Sequence, residues 1–437
     1  MKKKIPIVYV AMTADLLHSG HINILKVAKK LGEVVVGLYT YDACRELNDL
    51  PYLSFEKREN VLNSITYIKK VIPQSEASYK KNLLKLKPAY VVHGDDWKYN
   101  FHKKYRDEVV NLLKKWNGKL VEVKYSKDID NLKIKDEIQK KGIDFISRLS
   151  SLRNLLHAKK ILKIIEVHSP LCGLIADNVF SMVNNKKVEF DGMWSSSLTD
   201  STVKGKPDTE SVDISTRLDA VNQIFEVAKK PLLFDGDTGG SIDHFKFTIR
   251  SLERLGVSAI VIEDKKGLKR NSLFENSVYQ QQETISNFCK KISTGKSSQR
   301  SNEFMIIARV ESLVLGKSVQ DALKRSLAYI KAGADGIFIH PKSNQFNQLK
   351  EFIKGLRSKD KKTILIIAPS TYNRVKLDEF EKLDVNMVIY ANHLLRSSYP
   401  AMAKVAKSIL TNQRSFEADK HCMSITQILE LIPETKS

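Results

Sequence analysis

Apolar and polar positions along the first 125 residues form a pattern of strands followed by helices. Short apolar runs at 6–10, 34–38, 89–92 and 120–123 predict strands, and the segments between them show the helical spacing of apolar side chains. Because helices separate successive strands, the strands are expected to lie parallel in an open, doubly wound sheet. The binding site of such a sheet lies at the carboxyl ends of its strands.

A second alternating series begins after residue 160. Apolar runs again predict strands, with amphipathic helices such as 221–228 and 322–330 between them. The runs are 164–167, 189–194, 232–235, 259–263, 305–310, 337–340, 364–367 and 387–390. This number of strands alternating with helices predicts a single (β/α)₈ barrel, in which the strand ends face one common site.

A basic, amphipathic segment lies between the two series. Its apolar residues from 133 to 163 recur at helical spacing and predict one or two helices. The fold class predicted is therefore α/β, with an N-terminal doubly wound parallel sheet followed by a (β/α)₈ barrel. We expect an open-sheet domain at 1–132, a helical connector at 133–158 and a barrel domain at 159–437.

Composition agrees with a globular protein of two domains. The chain has 437 residues, of which 42% are hydrophobic and 28% charged. The Met-Lys-Lys-Lys start leads straight into a strand and no long apolar run follows, so a cytoplasmic protein without a membrane partner is expected. Cys44, Cys172, Cys289 and Cys422 are far apart and form no CxxC pair, which predicts reduced thiols.

The net charge of +22 raises the question of a nucleic-acid partner. The basic residues are spread as lysine pairs on the polar faces of successive helices, for example Lys29-Lys30 and Lys229-Lys230. No single arm or Arg/Gly-rich tract gathers them. We therefore expect no nucleic-acid partner.

Two histidines follow the first strand at the predicted start of a helix. His18, Gly20 and His21 form an HxGH sequence, placed where the free N–H groups and the positive end of the helix dipole favour a phosphate. Gly20 lets a ligand approach the backbone, and the imidazoles add donors for a polyphosphate. The alternative is a helix cap and a surface histidine.

Polar residues stand at the ends of the predicted barrel strands. They are Trp194 to Leu198, Asp235, Asp237, Glu263, Arg309 and His340, with Asp208 in a neighbouring loop. The carboxylates would repel one another without a cation, and a set of hard oxygen ligands suits Mg²⁺ or Mn²⁺. Arg309 and His340 would then hold an anion beside the metal.

The segment 263–272 reads EDKKGLKRNS and directly follows a buried strand. Cationic side chains beside a glycine are typical of a mobile loop that closes over a β/α active site. The alternative is a solvated, charged surface loop. The repeated polar strand ends favour the active-site interpretation.

The second half of the chain resembles phosphoenolpyruvate mutase of the isocitrate lyase/PEP mutase superfamily. The loop signature, EDK followed after a spacer by K-x-N-S, stands here at 263–265 and 269–272, and the resemblance covers roughly residues 155–430. The loop carries no cysteine of the kind found in the lyases of that superfamily, which disfavours C–C bond cleavage.

This resemblance implies a role for each site residue. Asp235 would bind Mg²⁺ directly, and Asp208, Asp237 and Glu263 would hold its waters. The residues implied to surround the pyruvyl group are Trp194, Ser196, Ser197 and Leu198, and those implied to hold the phosphoryl group are Lys269, Asn271, Ser272, Arg309 and His340. Ser197 departs from the family pattern, which usually has glycine there.

The first half, at about residues 5–125, resembles the cytidylyltransferases that activate glycerol phosphate, choline phosphate and ethanolamine phosphate. It shares their HSGH sequence at 18–21 and a later HGDD sequence at 93–96. The resemblance implies that His18 and His21 contact the CTP phosphates and that Asp15 and Asp95 border the pocket. The other residues of the implied nucleotide site are Thr13, Gly20, His93 and Gly94.

Two segments depart from the cytidylyltransferase pattern. Residues 125–130 read YSKDID where the family usually has an Arg-x-x-Gly-Ile-Ser-Thr type of segment, and residues 46–49 read ELND near the position of an expected lysine. These departures leave open whether the first domain catalyses nucleotidyl transfer.

The leading hypothesis is a phosphoenolpyruvate mutase that forms the C–P bond of phosphonopyruvate, with a first domain that binds CTP and cytidylylates a small downstream phosphonate. One alternative is a phosphonopyruvate hydrolase; Asn271 favours the mutase because hydrolases typically replace that amide. Another is a mutase whose first domain is a non-catalytic nucleotide-binding or oligomerisation module. The family resemblance also implies a homo-oligomer, either a dimer or a tetramer.

Overall fold

The computed structural model describes residues 5–15, 17–47, 51, 53–98, 103–124, 145–184, 186–267, 269, 280–341 and 346–432. The chain divides into two compact units. The first comprises residues 1–143 and 153–159, and the second comprises residues 144–152 and 160–437.

The first unit contains a five-stranded parallel sheet. Its strands are β1 (Ile7–Met12), β2 (Glu33–Tyr39), β3 (Ile68–Gln74), β4 (Tyr90–Gly94) and β5 (Lys119–Val123). Its described helices are α1 (Ser19–Leu31), α2 (Tyr41–Glu46), α3 (Phe55–Asn63), α4 (Lys80–Leu86) and α5 (Lys103–Leu113), with 3₁₀ turns at Asp95–Lys98 and Lys114–Trp116. The order β3-β2-β1-β4-β5 reverses between β1 and β4, so their carboxyl ends flank the expected ligand crevice.

Apolar side chains cover this sheet on both faces. Along β1, Tyr9 and Ala11 belong to one apolar cluster, whereas Val8, Val10 and Met12 belong to another. Strands covered on both faces need apolar residues at every position, which explains the continuous runs in the sequence. The predicted doubly wound parallel sheet is confirmed.

The sequence pattern did not predict the edge strand β3. It reads IKKVIPQ, and among its seven residues only Gln74 is buried. A proline and two lysines argue against a central strand, but an edge strand has one side without partners and tolerates both. The pairing of β3 with β2 therefore follows from the sheet rather than from local apolar spacing.

The second unit contains a closed parallel barrel. Its strands are β6 (Leu162–Glu166), β7 (Phe180–Val183), β8 (Lys186–Glu189), β9 (Gly192–Ser195), β10 (Leu232–Asp235), β11 (Ala259–Glu263), β12 (Met305–Val310), β13 (Gly336–Ile339), β14 (Ile364–Ile367) and β15 (Met387–Tyr390). All except β7 and β8 close the barrel, in the order β10-β11-β12-β13-β14-β15-β6-β9. The predicted (β/α)₈ barrel is confirmed.

The helices of this unit separate the barrel strands along the chain. Those described are α6 (Phe145–Ala158), α7 (Pro170–Asn178), α8 (Ser197–Val203), α9 (Ile214–Val227), α10 (Ile242–Leu255), α11 (Ile285–Ser298), α12 (Val319–Lys331), α13 (Phe346–Lys359), α14 (Leu377–Lys382), α15 (His393–Asn412) and α16 (Ile425–Glu430), with a 3₁₀ turn at Asp419–His421. Residues 145–152 of α6 belong to the second unit and the rest to the first.

Alternation along β11 shows how the barrel positions its polar groups. Ile260 and Ile262 pack in the apolar cluster with the helix residues Phe245 and Phe288. Side chains alternate along a strand, so Val261 and Glu263 point to the opposite face, into the barrel. Glu263 is the last residue of the strand and therefore lies at the carboxyl end of the barrel.

One predicted barrel strand is corrected by the structure. The apolar run 189–194 begins with the last residue of β8, which pairs antiparallel with β7 in a hairpin. The barrel strand itself is β9, Gly192–Ser195. β8 contributes only Glu189 to this run and β9 ends one residue beyond it, so the apolar pattern did not mark the boundary between the two strands.

The C-terminal helix α15 is long but has no buried residue. Tyr399, Met402 and Leu410 are all strongly exposed on it. Among the described residues, no helix combines the length and apolar character needed to cross a membrane.

Candidate active sites

A cavity of about 80 Å³ lies at the carboxyl ends of the barrel strands. Its lining includes the predicted residues Trp194, Ser196, Leu198, Asp208, Asp235, Lys269, Arg309 and His340. It also includes residues that the sequence analysis did not select, namely Phe338, Ala368, Ser370, Ala391 and Asn392. Polar residues far apart in the chain therefore converge at one end of the barrel, as such a fold requires.

Four carboxylates surround the ammonium group of Lys269. We refer to Asp208, Asp235, Asp237 and Glu263 as the acid cluster. Lys269 Nζ lies 2.8 Å from Asp237 Oδ1, 3.3 Å from Asp208 Oδ1, and 3.8 Å from both Asp235 Oδ2 and Glu263 Oε1. Burial disfavours the charged form of Lys269, but the surrounding carboxylates outweigh it and raise its pKa well above the usual value.

The acid cluster has the donor chemistry that Mg²⁺ prefers, because four carboxylates approach one point and no sulfur is present. Within the described residues, no group of three or more His, Cys, Asp or Glu is spaced to hold a metal ion in the present arrangement. In the present arrangement the ammonium group of Lys269 stands among these carboxylates. The residue types therefore fit the ion, and Mg²⁺ would take the place of the Lys269 ammonium as the positive charge among them.

Asp235 is oriented by three hydrogen bonds from its neighbours. Ser197 donates to Asp235 Oδ2 from its backbone N–H at 3.3 Å and from its hydroxyl at 3.0 Å, and Asp237 N–H donates to Oδ1 at 3.2 Å. Burial tends to raise the pKa of Asp235, but Lys269 and other cations lower it below the usual value. The side chain is therefore an anion fixed at the cavity wall.

Asp237 is held in a less common state. Its backbone lies in the left-handed region with φ 52°, and its Oδ2 accepts a hydrogen bond from Arg217 at 3.1 Å. Burial raises its pKa to about 6, and this exceeds the lowering by Lys269. A carboxyl group with that pKa changes charge near neutral pH, unlike its neighbour Asp235.

Arg217 in α9 is a site residue that the sequence analysis missed. Its guanidinium donates to Asp200 Oδ2 at 3.0 Å, to Asp237 Oδ2 at 3.1 Å and to the Asp235 carbonyl at 2.6 Å. The side chain is 3% exposed. The signal was available, because Arg217, Val221 and Ile224 have the spacing of one buried helix face.

Arg309 is paired with carboxylates rather than standing alone as an anion-binding group. Its Nη1 lies 2.8 Å from Glu263 Oε1 and its Nε lies 2.6 Å from Glu311 Oε1. Lys265 Nζ contacts the same two carboxylates, at 2.8 and 3.1 Å. These four side chains form a closed ring of alternating charge, which holds the guanidinium against the cavity.

An aromatic wall and a neutral histidine complete the described part of the cavity. The ring of Phe338 lies 5.3 Å from Arg309 Cζ and contacts Trp194 edge to face at 6.3 Å between centroids. Burial, followed by the charge of Arg309, lowers the pKa of His340 to about 4. His340 is therefore uncharged at neutral pH. The predicted phosphoryl-binding residues Asn271 and Ser272 lie outside the described residues.

In the first unit, His18 and His21 cap the start of α1. His18 Nδ1 accepts the Gly20 N–H at 3.0 Å, and His21 Nδ1 accepts the His18 N–H at 3.4 Å. Burial, then the charge of His18, lowers the pKa of His21 to about 4. With Nδ1 as an acceptor, a neutral His21 carries its proton on Nε2 and can donate from there. Capping therefore leaves the Nε2 donor of His21 outside the cap hydrogen bonds.

The other predicted nucleotide residues lie at the carboxyl ends of β1 and β4, which are neighbours in the sheet. Asp15 Oδ1 accepts the Leu53 N–H at 2.8 Å, and the Thr13 carbonyl accepts from Arg58 at 2.6 Å. His93 stacks on Trp97 with 3.8 Å between ring centroids. These contacts fix the backbone around the crevice.

Gly94 is the last residue of β4, and Asp95 begins the 3₁₀ turn that follows it. The two residues stand at the same sheet edge as Thr13 and Asp15. The segment 125–130, where the sequence departs from the cytidylyltransferase pattern, lies outside the described residues.

Comparison with known proteins assigns the second unit. Residues 152–410 match the family model described as phosphoenolpyruvate phosphomutase. The chain belongs to this family. The first unit matches the model described as cytidylyltransferase-like over residues 11–143.

Relatives of the phosphomutase family align with the barrel. The phosphoenolpyruvate phosphomutase of Tetrahymena pyriformis is 30% identical over 285 residues, covering 65% of this chain and 91% of its own. The crystal structure of the phosphomutase from Streptomyces platensis subsp. rosaceus superposes with a TM-score of 0.60 at 31% identity, covering 65% of this chain and 94% of that one. These relatives support a mutase enzyme.

A phosphonopyruvate hydrolase is similar to the same region. Its crystal structure in complex with oxalate and Mg²⁺ superposes with a TM-score of 0.59 at 28% identity, covering 66% of this chain and 96% of that one. Overall similarity therefore does not distinguish the phosphomutase from the hydrolase.

Proposed function

We propose that the second unit interconverts phosphoenolpyruvate and phosphonopyruvate with Mg²⁺. The observation that carries this proposal is the convergence of Asp208, Asp235, Arg309 and His340 on one cavity in a phosphomutase-family barrel. When bound, Mg²⁺ would supply positive charge to the oxygens of the substrate. Asp235 would be its direct ligand, and the rest of the acid cluster would orient its waters.

The residues of the cavity suit a phosphoryl group that moves between oxygen and carbon. The reaction breaks a P–O bond and forms a P–C bond through a loose, metaphosphate-like transition state that water would intercept. Arg309 is fixed by two carboxylates, so it can stabilise the spread charge without reorganising. Neutral His340 can donate a hydrogen bond without adding charge.

The substrate-binding side of the proposal rests on the segment after β9. Ser196 and Leu198 line the cavity beside Trp194, and Ser197 orients Asp235. We propose that this segment holds the pyruvyl group. Lys269, with Asn271 and Ser272 farther along the loop, would hold the phosphoryl group after Lys269 leaves the acid cluster.

³¹P NMR of the purified protein with phosphonopyruvate and Mg²⁺ tests this function. We expect the phosphonate signal to be replaced by that of phosphoenolpyruvate, because the P–O compound is the more stable one. Formation of pyruvate and inorganic phosphate alone would instead establish a phosphonopyruvate hydrolase. An Asp235→Ala protein should convert neither substrate and serves as the control.

We also propose that the first unit binds CTP and transfers CMP to a small phosphonate. The capped histidines at the start of α1 support this, because each ring accepts a backbone N–H through Nδ1. Pyrophosphate release from CTP should depend on a phosphonate such as 2-aminoethylphosphonate and should be lost in His18→Ala and His21→Ala. CTP binding without pyrophosphate release would indicate a non-catalytic nucleotide-binding module. Absence of CTP binding would contradict the proposal.

A homo-oligomer is proposed from the C-terminal helix. Helix α15 exposes Tyr399, Met402 and Leu410, which are 75%, 62% and 72% accessible in the single chain. Exposed apolar residues along one long helix are expected to be covered by another surface. Analytical ultracentrifugation should show a dimer or tetramer. Substitution of these three residues by glutamate should shift the association equilibrium toward the monomer. A monomeric parent protein would contradict the proposal.

A further inference from the structure

A cysteine, a histidine and a glutamate meet at the first strand of the barrel, outside the cavity lining. Glu166 is the last residue of β6, His168 lies two residues later, and Cys172 is in the first turn of α7. His168 Nδ1 is hydrogen-bonded to Glu166 Oε1, and Cys172 Sγ lies 3.4 Å from His168 Nε2 and 3.7 Å from His168 Nδ1. We refer to Cys172, His168 and Glu166 as the thiol triad.

The arrangement is that of an activated nucleophile. A carboxylate holds one ring nitrogen, and the sulfur lies close to the ring, nearer to Nε2 than to Nδ1, so an imidazolium at His168 would stabilise a thiolate at Cys172. The Ser169 hydroxyl donates to Cys172 Sγ at 3.4 Å. The sulfur also lies near the start of a helix, where the dipole favours negative charge.

The local charges favour a thiolate and an imidazolium. Burial opposes charge on His168, but its bonds to Cys172 and Glu166 raise its pKa to about 10. Burial also opposes the thiolate, but the hydrogen bonds from His168 and Ser169 lower the pKa of Cys172 below its usual value. Helix α9 contributes the apolar residues Val221 and Ile224 to the cluster that contains Cys172.

We propose that Cys172 is a modification site for hydrogen peroxide. The thiolate sulfur attacks one oxygen of the peroxide, so that an S–O bond forms, the O–O bond breaks and hydroxide leaves. The imidazolium of His168 gives its proton to the hydroxide, and water is released. Sulfur is oxidised by two electrons to a sulfenic acid, peroxide is reduced by the same two electrons, and His168 becomes neutral.

Accessibility restricts the oxidant to a small molecule. Cys172 is 5% exposed and the His168 side chain 9% exposed, whereas the adjacent Leu171 is 52% exposed. The triad therefore lies just beneath the surface, within reach of a molecule little larger than water.

The site lies close to a wall of the cavity. Glu166 Oε2 also accepts the Leu395 N–H at 3.4 Å, in the helix that begins directly after the cavity residue Asn392. The thiol triad and the cavity therefore occupy the same end of the barrel.

The other cysteines provide internal controls in the full-length protein. Cys422 is exposed, and Cys289 is partly buried with its pKa raised by burial. The reduced protein would be treated with hydrogen peroxide at about pH 6, and sulfenic acid would be trapped with dimedone and quantified for each cysteine by peptide mass spectrometry. An ordinary thiol is less than about 1% thiolate at this pH. We expect Cys172 to react at least about 10-fold faster than Cys422.

Two variants distinguish activation of the Cys172 thiol by its neighbours from an effect of solvent exposure. His168→Gln should slow the reaction of Cys172 at about pH 6 by about 10-fold or more and leave Cys422 unchanged. Glu166→Gln should move the midpoint of the pH profile of Cys172 reactivity upward. Circular dichroism would verify that both variants are folded. Equal or slower reaction of Cys172 than of Cys422, or an unchanged pH profile in His168→Gln, would overturn the proposal.

Discussion

Removal of the Arg217 guanidinium should strongly destabilise the barrel. The side chain is 3% exposed and it pairs with Asp200 and Asp237, which are 2% and 9% exposed. Replacement by methionine keeps most of the packing volume but leaves two buried carboxylates without this cation. Removing one partner of a buried ion pair costs about 3–5 kcal/mol, so Arg217→Met should lower the free energy of unfolding of the second unit by about that amount.

A double-mutant cycle isolates the contribution of the pair. Asp200→Asn retains the shape of the carboxylate and its contact with the Ser195 hydroxyl, which lies 3.0 Å away. The double variant has no unpaired charge at position 200. Arg217→Met should therefore lower the free energy of unfolding by less in the Asp200→Asn background than in the parent protein. The expected coupling energy is about 1–3 kcal/mol.

The measurement must resolve the second unit, because unfolding of a two-unit chain can mix two transitions. Hydrogen exchange followed by mass spectrometry does so through peptides from β10 and β11. A loss of about 3 kcal/mol would speed exchange there on the order of 10²-fold, with little change in β1 and β2. Additive effects of the two substitutions, within about 0.5 kcal/mol, would refute the assignment of Arg217 as the counter-ion.

Three further predictions follow from the sites. Asp235→Ala should abolish both activity and Mg²⁺ binding measured by calorimetry, whereas Asp208→Ala should weaken binding by about 10- to 100-fold; equal effects would contradict the distinction between direct and water-mediated ligands. The pKa of His340 falls from the ordinary 6.5 to about 4 in the folded protein, so the unfolded chain binds more protons between these values and stability is lost as pH falls through them. The free energy of unfolding should fall by about 3 kcal/mol near pH 4, and this loss should be smaller in His340→Gln. If the acid dependence of stability is the same in that variant as in the parent, His340 is not a buried neutral histidine. His21→Ala should weaken CTP binding by at least about 10-fold in equilibrium dialysis, while His244→Ala, an exposed histidine near the start of α10, serves as a control that should change nothing.

The barrel strands were predictable where burial on both sides demands a continuous apolar run. The run at 259–263 coincides with β11, and that at 305–310 coincides with β12. The strand β3 was not predictable in this way, because its lysines and proline are tolerated only at a sheet edge, and edge position is a property of the whole sheet. The hairpin β7–β8 was missed because β8 reads KKVE, with a single apolar residue, and lacks the apolar run that marks the barrel strands.

The candidate site was predictable as a set of residue types but not as a set of partners. Polar residues at strand ends indicated the acid cluster, since carboxyl ends of barrel strands converge. Which cation meets which carboxylate depends on side-chain distances that no spacing rule supplies. Arg309 was expected beside an anionic ligand and is held by Glu263 and Glu311, while Lys265 closes a ring that the sequence did not suggest.

The position of Lys269 among the carboxylates bears on how the protein is made in the cell. Folding would otherwise bring four like charges into a water-poor interior, at a high electrostatic cost. Because the chain carries a cation that reaches all four, the barrel can form without any delivery of divalent ions. If the second unit binds Mg²⁺ as proposed, folding can precede ion loading, and a temporary shortage of magnesium would delay activity without exposing an unfolded barrel to proteolysis.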